Sequence, residues 1–160
     1  MANARIIVAS LTLSASALIG LAVSEGYTER AVVPTKNDRP THGFGSTFNA
    51  DGTPVKMGDK TTPERALVQL LTSTEKHADA IRSCIKVPLY QHEFDAYVSL
   101  SYQIGAGAFC RSTLIKKLNK GDYTGACNEL DKWVYAGGKK LPGIVKRRQK
   151  EKETCLGIKK

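Results

Sequence analysis

Residues 25–47, EGYTERAVVPTKNDRPTHGFGST, decide how the chain is read. The stretch is rich in Gly, Pro and Thr and has no long apolar run, so it reads as short strands joined by turns rather than as helix. The same texture continues to about residue 60, where Asp51-Gly52 is a hairpin signal; Val33, Phe44 and Val55 are candidate strand residues. Thr41 leads two glycines at alternate positions, Gly43 and Gly45, with His42 between. On an edge strand such glycines would let a bulky ligand approach the backbone. The stretch opens on an acid, Glu25, directly before Gly26, where a helix can end in a sharp turn.

Working upstream, residues 6–23 form an uncharged run of 18, IIVASLTLSASALIGLAV. As a helix it would span about 27 Å, just short of a hydrocarbon core of about 30 Å. Nine of the 18 are Ala, Ser, Thr or Gly, so insertion is weak. Arg5 and the amino terminus are the positive charges ahead of it, which favours an N-in orientation. The run can be a cleaved signal peptide, with Gly20-Leu21-Ala22 as a small-residue processing site. It can also be a permanent single-pass anchor, or an uncleaved signal-anchor that later leaves the bilayer. Its marginal apolarity favours the last.

Downstream the texture becomes helical. Thr62-Pro63-Glu64 reads as an N-cap with Pro at the first helical position, opening a helix to about residue 83. Leu67, Leu70, Leu71 and Ala78 are expected on its apolar face. A second helix runs from Gln91 to about Ile104, through Phe94, Ala96, Val98 and Leu100, and Gly105-Ala106-Gly107 breaks it. Shorter helices are expected over 112–119 and 123–134, the latter ended by Gly137-Gly138. A last one opens at Pro142 and runs to about Cys155. Phe109, Trp133 and Tyr135 are expected in the core, and His77 and His92 on helix surfaces. The fold class is α+β: a small β subdomain followed by a mainly helical lobe, with a cleft between them.

The formal net charge is +9, from 24 Lys and Arg against 15 Asp and Glu. This excess suits a polyanion, whether nucleic acid, anionic lipid or cell wall. No reading helix is recognisable, and the export segment argues against nucleic acid. Much of the charge lies late, with a cluster at Lys146-Arg147-Arg148 that could face an anionic polymer. Cys84, Cys110, Cys127 and Cys155 include no C-x-x-C spacing, which disfavours zinc. An exported chain with four cysteines reads as carrying two disulfides, for which three pairings exist. Cys84–Cys110 with Cys127–Cys155 is favoured, each bracing one helical hairpin. The apolar run has no cysteine, which removes thiol exchange as a switch.

A carboxyl held against apolar neighbours keeps its proton towards neutral pH and can act as a general acid. Glu25 is placed for that role, while the Thr41 hydroxyl could hold a water beside the charge of Asp38. One acid and one carboxylate-positioned water are what glycoside hydrolysis needs. The motifs extend along the chain: Glu25-Gly26, Thr41-x-Gly43-x-Gly45, Gln91-x-x-Phe94-Asp95-Ala96, Gly105-Ala106-Gly107-Ala108-Phe109 and Ser112-Thr113-Leu114. Gly121-Asp122-Tyr123-x-x-Ala126-Cys127, Trp133-x-Tyr135-Ala136-Gly137-Gly138-Lys139 and Leu141-Pro142-Gly143-Ile144-Val145-Lys146-Arg147-Arg148 complete the set. Together they resemble the phage-type lysozymes, the muramidase endolysins of tailed bacteriophages, over nearly all of residues 24–155. The apolar terminus is similar to that of their signal-anchor-release subgroup.

The resemblance implies hydrolysis of the β-1,4 bond between N-acetylmuramic acid and N-acetylglucosamine in peptidoglycan, without metal or organic cofactor. Catalytic roles fall on Glu25, Asp38 and Thr41, and substrate contacts on Thr35, His42, Gly43 and Gly45. The family pattern of an acid Glu, then Asp, then Thr is matched at its ends by Glu25 and Thr41. Its middle position is open. Six residues before Thr41 stands Thr35, and the nearest acid is Asp38. The alternative function is a non-catalytic, basic peptidoglycan-binding module. In the enzymatic reading, residues 1–24 are a signal-anchor that becomes the first helix of a monomeric catalytic domain, 25–160. It is held in the host inner membrane through residues 6–23 and is periplasmic after release. While the run lies in the bilayer, Glu25 is kept from Thr41, and depolarisation frees it. Replacing Ser14, Ser16 and Gly20 with Leu is expected to trap the protein in the membrane and delay lysis. Lysis on the normal schedule by that variant would contradict release.

Overall fold

Thr62 and Pro63 start a helix as the sequence predicts. In the computed structural model, which describes residues 4–158, the Arg65 N–H donates to the Thr62 hydroxyl at 3.3 Å. Pro63 takes the first helical position, where its missing N–H has no partner to lose. Helix α1 (Ala15–Glu25), strands β1 (Thr28–Val32) and β2 (Thr41–Gly43) and helix α2 (Pro63–Arg82) come first. Then follow α3 (Gln91–Ile104), α4 (Ala106–Arg111), α5 (Thr113–Leu118), α6 (Tyr123–Asn128) and a 3-10 turn, Glu129–Lys132. Strands β3 (Tyr135–Ala136) and β4 (Lys139–Lys140) precede α7 (Pro142–Cys155). The strands form two antiparallel pairs, β1 with β2 and β3 with β4. The α+β class is as expected.

The chain divides into two units, Met1–Ala17 with Thr74–Lys160, and Leu18–Ser73. The first is the helical unit. Its core is α3, buried nearly all round through Phe94, Tyr97, Val98 and Leu100, and packed against α7. Phe109, Leu114, Leu118, Ala126 and Leu130 close around it. Both favoured disulfides are present, Cys84–Cys110 and Cys127–Cys155, each with Cα atoms 5.7 Å apart.

Several expectations need correction. Residues 6–23 are not one helix: Ile6 bridges to Leu89, Val8–Ser10 is a 3-10 turn, and α-helix begins at Ala15. Val8 and Leu11 belong to the core of the helical unit. Among the described residues no helix is long and apolar enough to cross a membrane. On α2 the buried stripe is Ala66, Leu70, Thr74, Ala78 and Ile81, whereas Leu67 and Leu71 are exposed. Gly137-Gly138 does not end a helix. The helix from Tyr123 stops at Asn128, and the glycines form the tip of the β3–β4 hairpin at φ 56° and 76°. Tyr135 on that hairpin is 65% exposed rather than core. Of the late basic cluster Lys146 is exposed, but Arg148 is 1% exposed and ion-paired to Glu151 at 2.6 Å, so it is not available to face a polymer.

The two disulfides close loops of similar length, with sequence separations of 26 and 28. Removing either by paired Cys→Ala substitution is expected to cost about 3–4 kcal/mol through loop-closure entropy. Urea midpoints measure this. Losses differing by more than about 2 kcal/mol would show that loop length does not set the contribution.

Candidate active site

The candidate residues lie along one continuous stretch of the Leu18–Ser73 unit. Helix α1 carries Glu25 as its last residue, half-buried. Gly26 then turns left-handed at φ 71°, while its N–H still donates to the Ala22 carbonyl at 3.1 Å. This glycine stop lets the chain leave the helix immediately after the acid. Tyr27 follows, its hydroxyl donating to the Thr61 carbonyl at 3.1 Å and its ring 5.6 Å from that of Phe44. Two residues after Glu25 the chain has thus been tied to both later parts of the unit, and β1 begins.

Strand β2 runs back along β1, with Thr28 opposite Gly43 and Val32 opposite Thr41. The connection between them holds Thr35 and Asp38. They meet in one turn: the Asp38 N–H donates to the Thr35 carbonyl at 3.0 Å, with Asn37 at φ 70°. The Thr35 hydroxyl donates to Asp38 Oδ2 at 3.3 Å, and the Arg39 N–H to Oδ1 at 2.9 Å. Thr35 and Asp38, alternatives by counting, are therefore hydrogen-bonded partners. A few residues on, Thr41 opens β2, 9% exposed.

The Gly-x-Gly motif is a turn and not a continuing strand. The His42 and Ser46 backbones exchange hydrogen bonds of 3.1 and 3.0 Å around Gly43-Phe44-Gly45. Both glycines have positive φ, 62° and 80°. Gly43 is buried, and a Cβ there would stand 2.8 Å from the Cβ of Ala66 on α2. Its missing side chain serves close packing of strand on helix. Around Gly45 nothing comes within 4 Å of an added Cβ, so its backbone stands open. Phe44 and Val55 lie outside the named strands, as does Val33.

His42 is 1% exposed, with Nε2 2.7 Å from Asn49 Oδ1. Asn49 Nδ2 donates to Asp59 Oδ2 at 2.9 Å. That bond, helped by the Lys56 N–H, holds the Asp59 carboxyl below its ordinary range. His42 also lines a pocket of about 300 Å³ shared with Lys60, Arg65 and Gln69. The chain of contacts from His42 through Asn49 to Asp59 was not visible in the sequence, where Asn49 and Asp59 look like ordinary turn residues. Among the described residues no group of His, Cys, Asp and Glu is placed to hold a metal ion.

Within the Leu18–Ser73 unit, a helix ending in Glu25 is thus followed by a Thr-led, glycine-turned hairpin. Comparison with known proteins gives the class. The chain belongs to the phage lysozyme family, whose model matches residues 22–151. It is 45% identical over 118 residues to the endolysin of Acyrthosiphon pisum secondary endosymbiont phage 1, covering 71% of this chain and 77% of that one. It is 39% identical over 105 residues to the SAR-endolysin of Enterobacteria phage P21, covering 66% of this chain and 64% of the relative. In structure it is similar to the endolysin from Escherichia coli O157:H7 phage FAHEc1, with TM-score 0.83 at 38% identity, over 92% and 94% of the two chains. The chain is a lysozyme of the phage class, an enzyme of peptidoglycan hydrolysis and host lysis.

Gly43→Ala is expected to lower stability by roughly 2–4 kcal/mol, because a positive φ and a clash with the Ala66 Cβ add. Gly45→Ala should cost only about 1–2 kcal/mol. Thermal unfolding of the two variants checks this, and equal losses would remove the packing role of Gly43.

Proposed function

We propose that the chain hydrolyses the β-1,4 bond between N-acetylmuramic acid and N-acetylglucosamine, with Glu25 as general acid. Glu25 protonates the leaving oxygen. Thr41 holds the attacking water on the opposite sugar face, and Asp38 supplies the charge that activates it. The observation that carries this reading is the bond from the Thr35 hydroxyl to Asp38 Oδ2 at 3.3 Å. A family position occupied by a single Asp is here shared by two side chains, with Thr35 fixing the carboxylate that faces the water. Such an arrangement, acid on one side and water on the other, inverts the anomeric centre.

His42, Gly43 and Gly45 contribute unequally to the substrate. Gly45 offers an open backbone to the sugar chain. His42 and Gly43 hold the hairpin in shape from beneath, one through Asn49 and the other against Ala66.

Activity is timed by the membrane. Residues 6–23 tether the newly made protein, a monomer, in the host inner membrane, and release delivers it to the periplasm. The low apolarity of the run supports this, as does similarity to a relative named SAR-endolysin.

Glu25→Gln is expected to abolish hydrolysis of purified cell walls while leaving the fold intact, a loss of at least about 10³ in rate. Asp38→Asn should lose more activity than Thr35→Val, and NMR should show the inverted anomer first. Continued wall lysis by Glu25→Gln would remove Glu25 from the mechanism.

A further inference from the structure

In a bilayer, residues 6–23 can cross only as a helix that satisfies its own peptide groups. In the structure that helix survives only from Ala15 onward. Several hydrogen bonds of the unwound part go to residues 82–95 of the same unit. The Ile6 N–H donates to the Leu89 carbonyl, and the Leu89 N–H to that of Ile6, both at 2.9 Å. Arg82 Nη2 donates to the Leu11 carbonyl at 2.6 Å, and Gln91 Nε2 to the Thr12 carbonyl at 2.7 Å. Ser14 is gripped twice by Asp95, its N–H donating to Oδ1 at 3.0 Å and its hydroxyl to Oδ2 at 2.6 Å. At the far end Arg5 forks onto Glu93, Nη2 to Oε1 at 2.8 Å and Nε to Oε2 at 3.1 Å. Its guanidinium also lies over the Tyr123 ring, 3.5 Å from the centroid.

Two features make this more than a surface contact. Glu93 and Asp95 are buried carboxylates, Asp95 only 7% exposed, so the chain they hold is part of how their charge is satisfied. Ser14 is also the cap of α1, accepting the Ala17 N–H at 3.2 Å. Gln91 Nε2 donates to Asp95 Oδ1 at 2.9 Å and so orients the carboxylate. Asp95 therefore holds Ser14, the residue that caps the start of α1, and Glu25 is the last residue of that helix.

We propose that Asp95, oriented by Gln91, is a positioning residue for the reaction, acting through Ser14 and α1 on Glu25. The strip of Arg82, Leu89, Gln91, Glu93 and Asp95 is the receptor for the unwound part of the released run. The run is thus divided at Ser14: residues before it exchange helix for receptor contacts, and residues after it stay helical in both states. This rests on the reading of Glu25 as the acid and of the run as releasable.

The test uses the full-length chain carrying Asp95→Ala, Asp95→Asn or Gln91→Ala, none of which alters the apolar run. After release, Asp95→Ala should lower kcat on purified walls about tenfold with KM nearly unchanged, the worth of a lost charge-assisted hydrogen bond. Asp95→Asn should recover most of that rate. Amide exchange over residues 6–14 should quicken about tenfold in Asp95→Ala, with protection of α3 and α7 unchanged. Gln91→Ala, at an exposed side chain, should quicken the same amides and serves if Asp95→Ala does not fold. Unchanged exchange and kcat, equal loss for Ala and Asn, or loosening throughout α3 and α7 would each overturn the proposal. Retained lysis by Glu25→Gln would sink the acid assignment alone, because the exchange comparison does not use catalysis.

Discussion

Peptide groups withdrawn from water must find partners, and the amino-terminal segment meets this requirement in two ways. From Ala15 to Glu25 the helix pairs them internally. Before Ala15 they are paired by Leu89, Arg82, Gln91 and Asp95. Val8 and Leu11, on the stretch held by these contacts, belong to the core of the helical unit. The start of α1 depends on the same contacts, through the Ser14 hydroxyl that accepts the Ala17 N–H.

Much of the fold was legible because strong punctuation marks its longer elements. Helix α3 begins and ends as expected, at Gln91 and before Gly105, and α7 opens at Pro142 and closes at Cys155. Helix α4 and the β3–β4 hairpin were missed, being six and two residues long. Such pieces are too short to show a period. On α2, Leu67 and Leu71 point to a different face from the one that is buried. Of the row through Ala66, Ala66 backs onto Gly43 while Ala78 and Ile81 join the core of the helical unit, tertiary facts with no local trace. The apolar run was read as one helix from its composition. Its polar receptors lie about eighty positions away and cannot be seen in it.

In the site, Glu25 before Gly26 and Thr41 before its glycines were legible as a pattern. The relation of Thr35 to Asp38 was not, because a count along the chain treats them as rivals. Folding them into one turn makes one the hydrogen-bond donor of the other. His42 drew notice as a titratable residue beside Thr41, yet strand alternation turns it towards Asn49. The charged cluster at the end of the chain shows the same limit: Arg148 reads as surface charge and is buried in an ion pair with Glu151.

The two disulfides join Cys84 to Cys110 and Cys127 to Cys155, and neither uses a residue of the first fourteen. Oxidation of the helical unit therefore requires nothing from the segment that completes it. If the run is released as proposed, cross-linking and the arrival of the first helix are separate events, because no cysteine lies in the run. An enzyme assembled in that order waits as a finished scaffold, and its last step needs no chemistry at all.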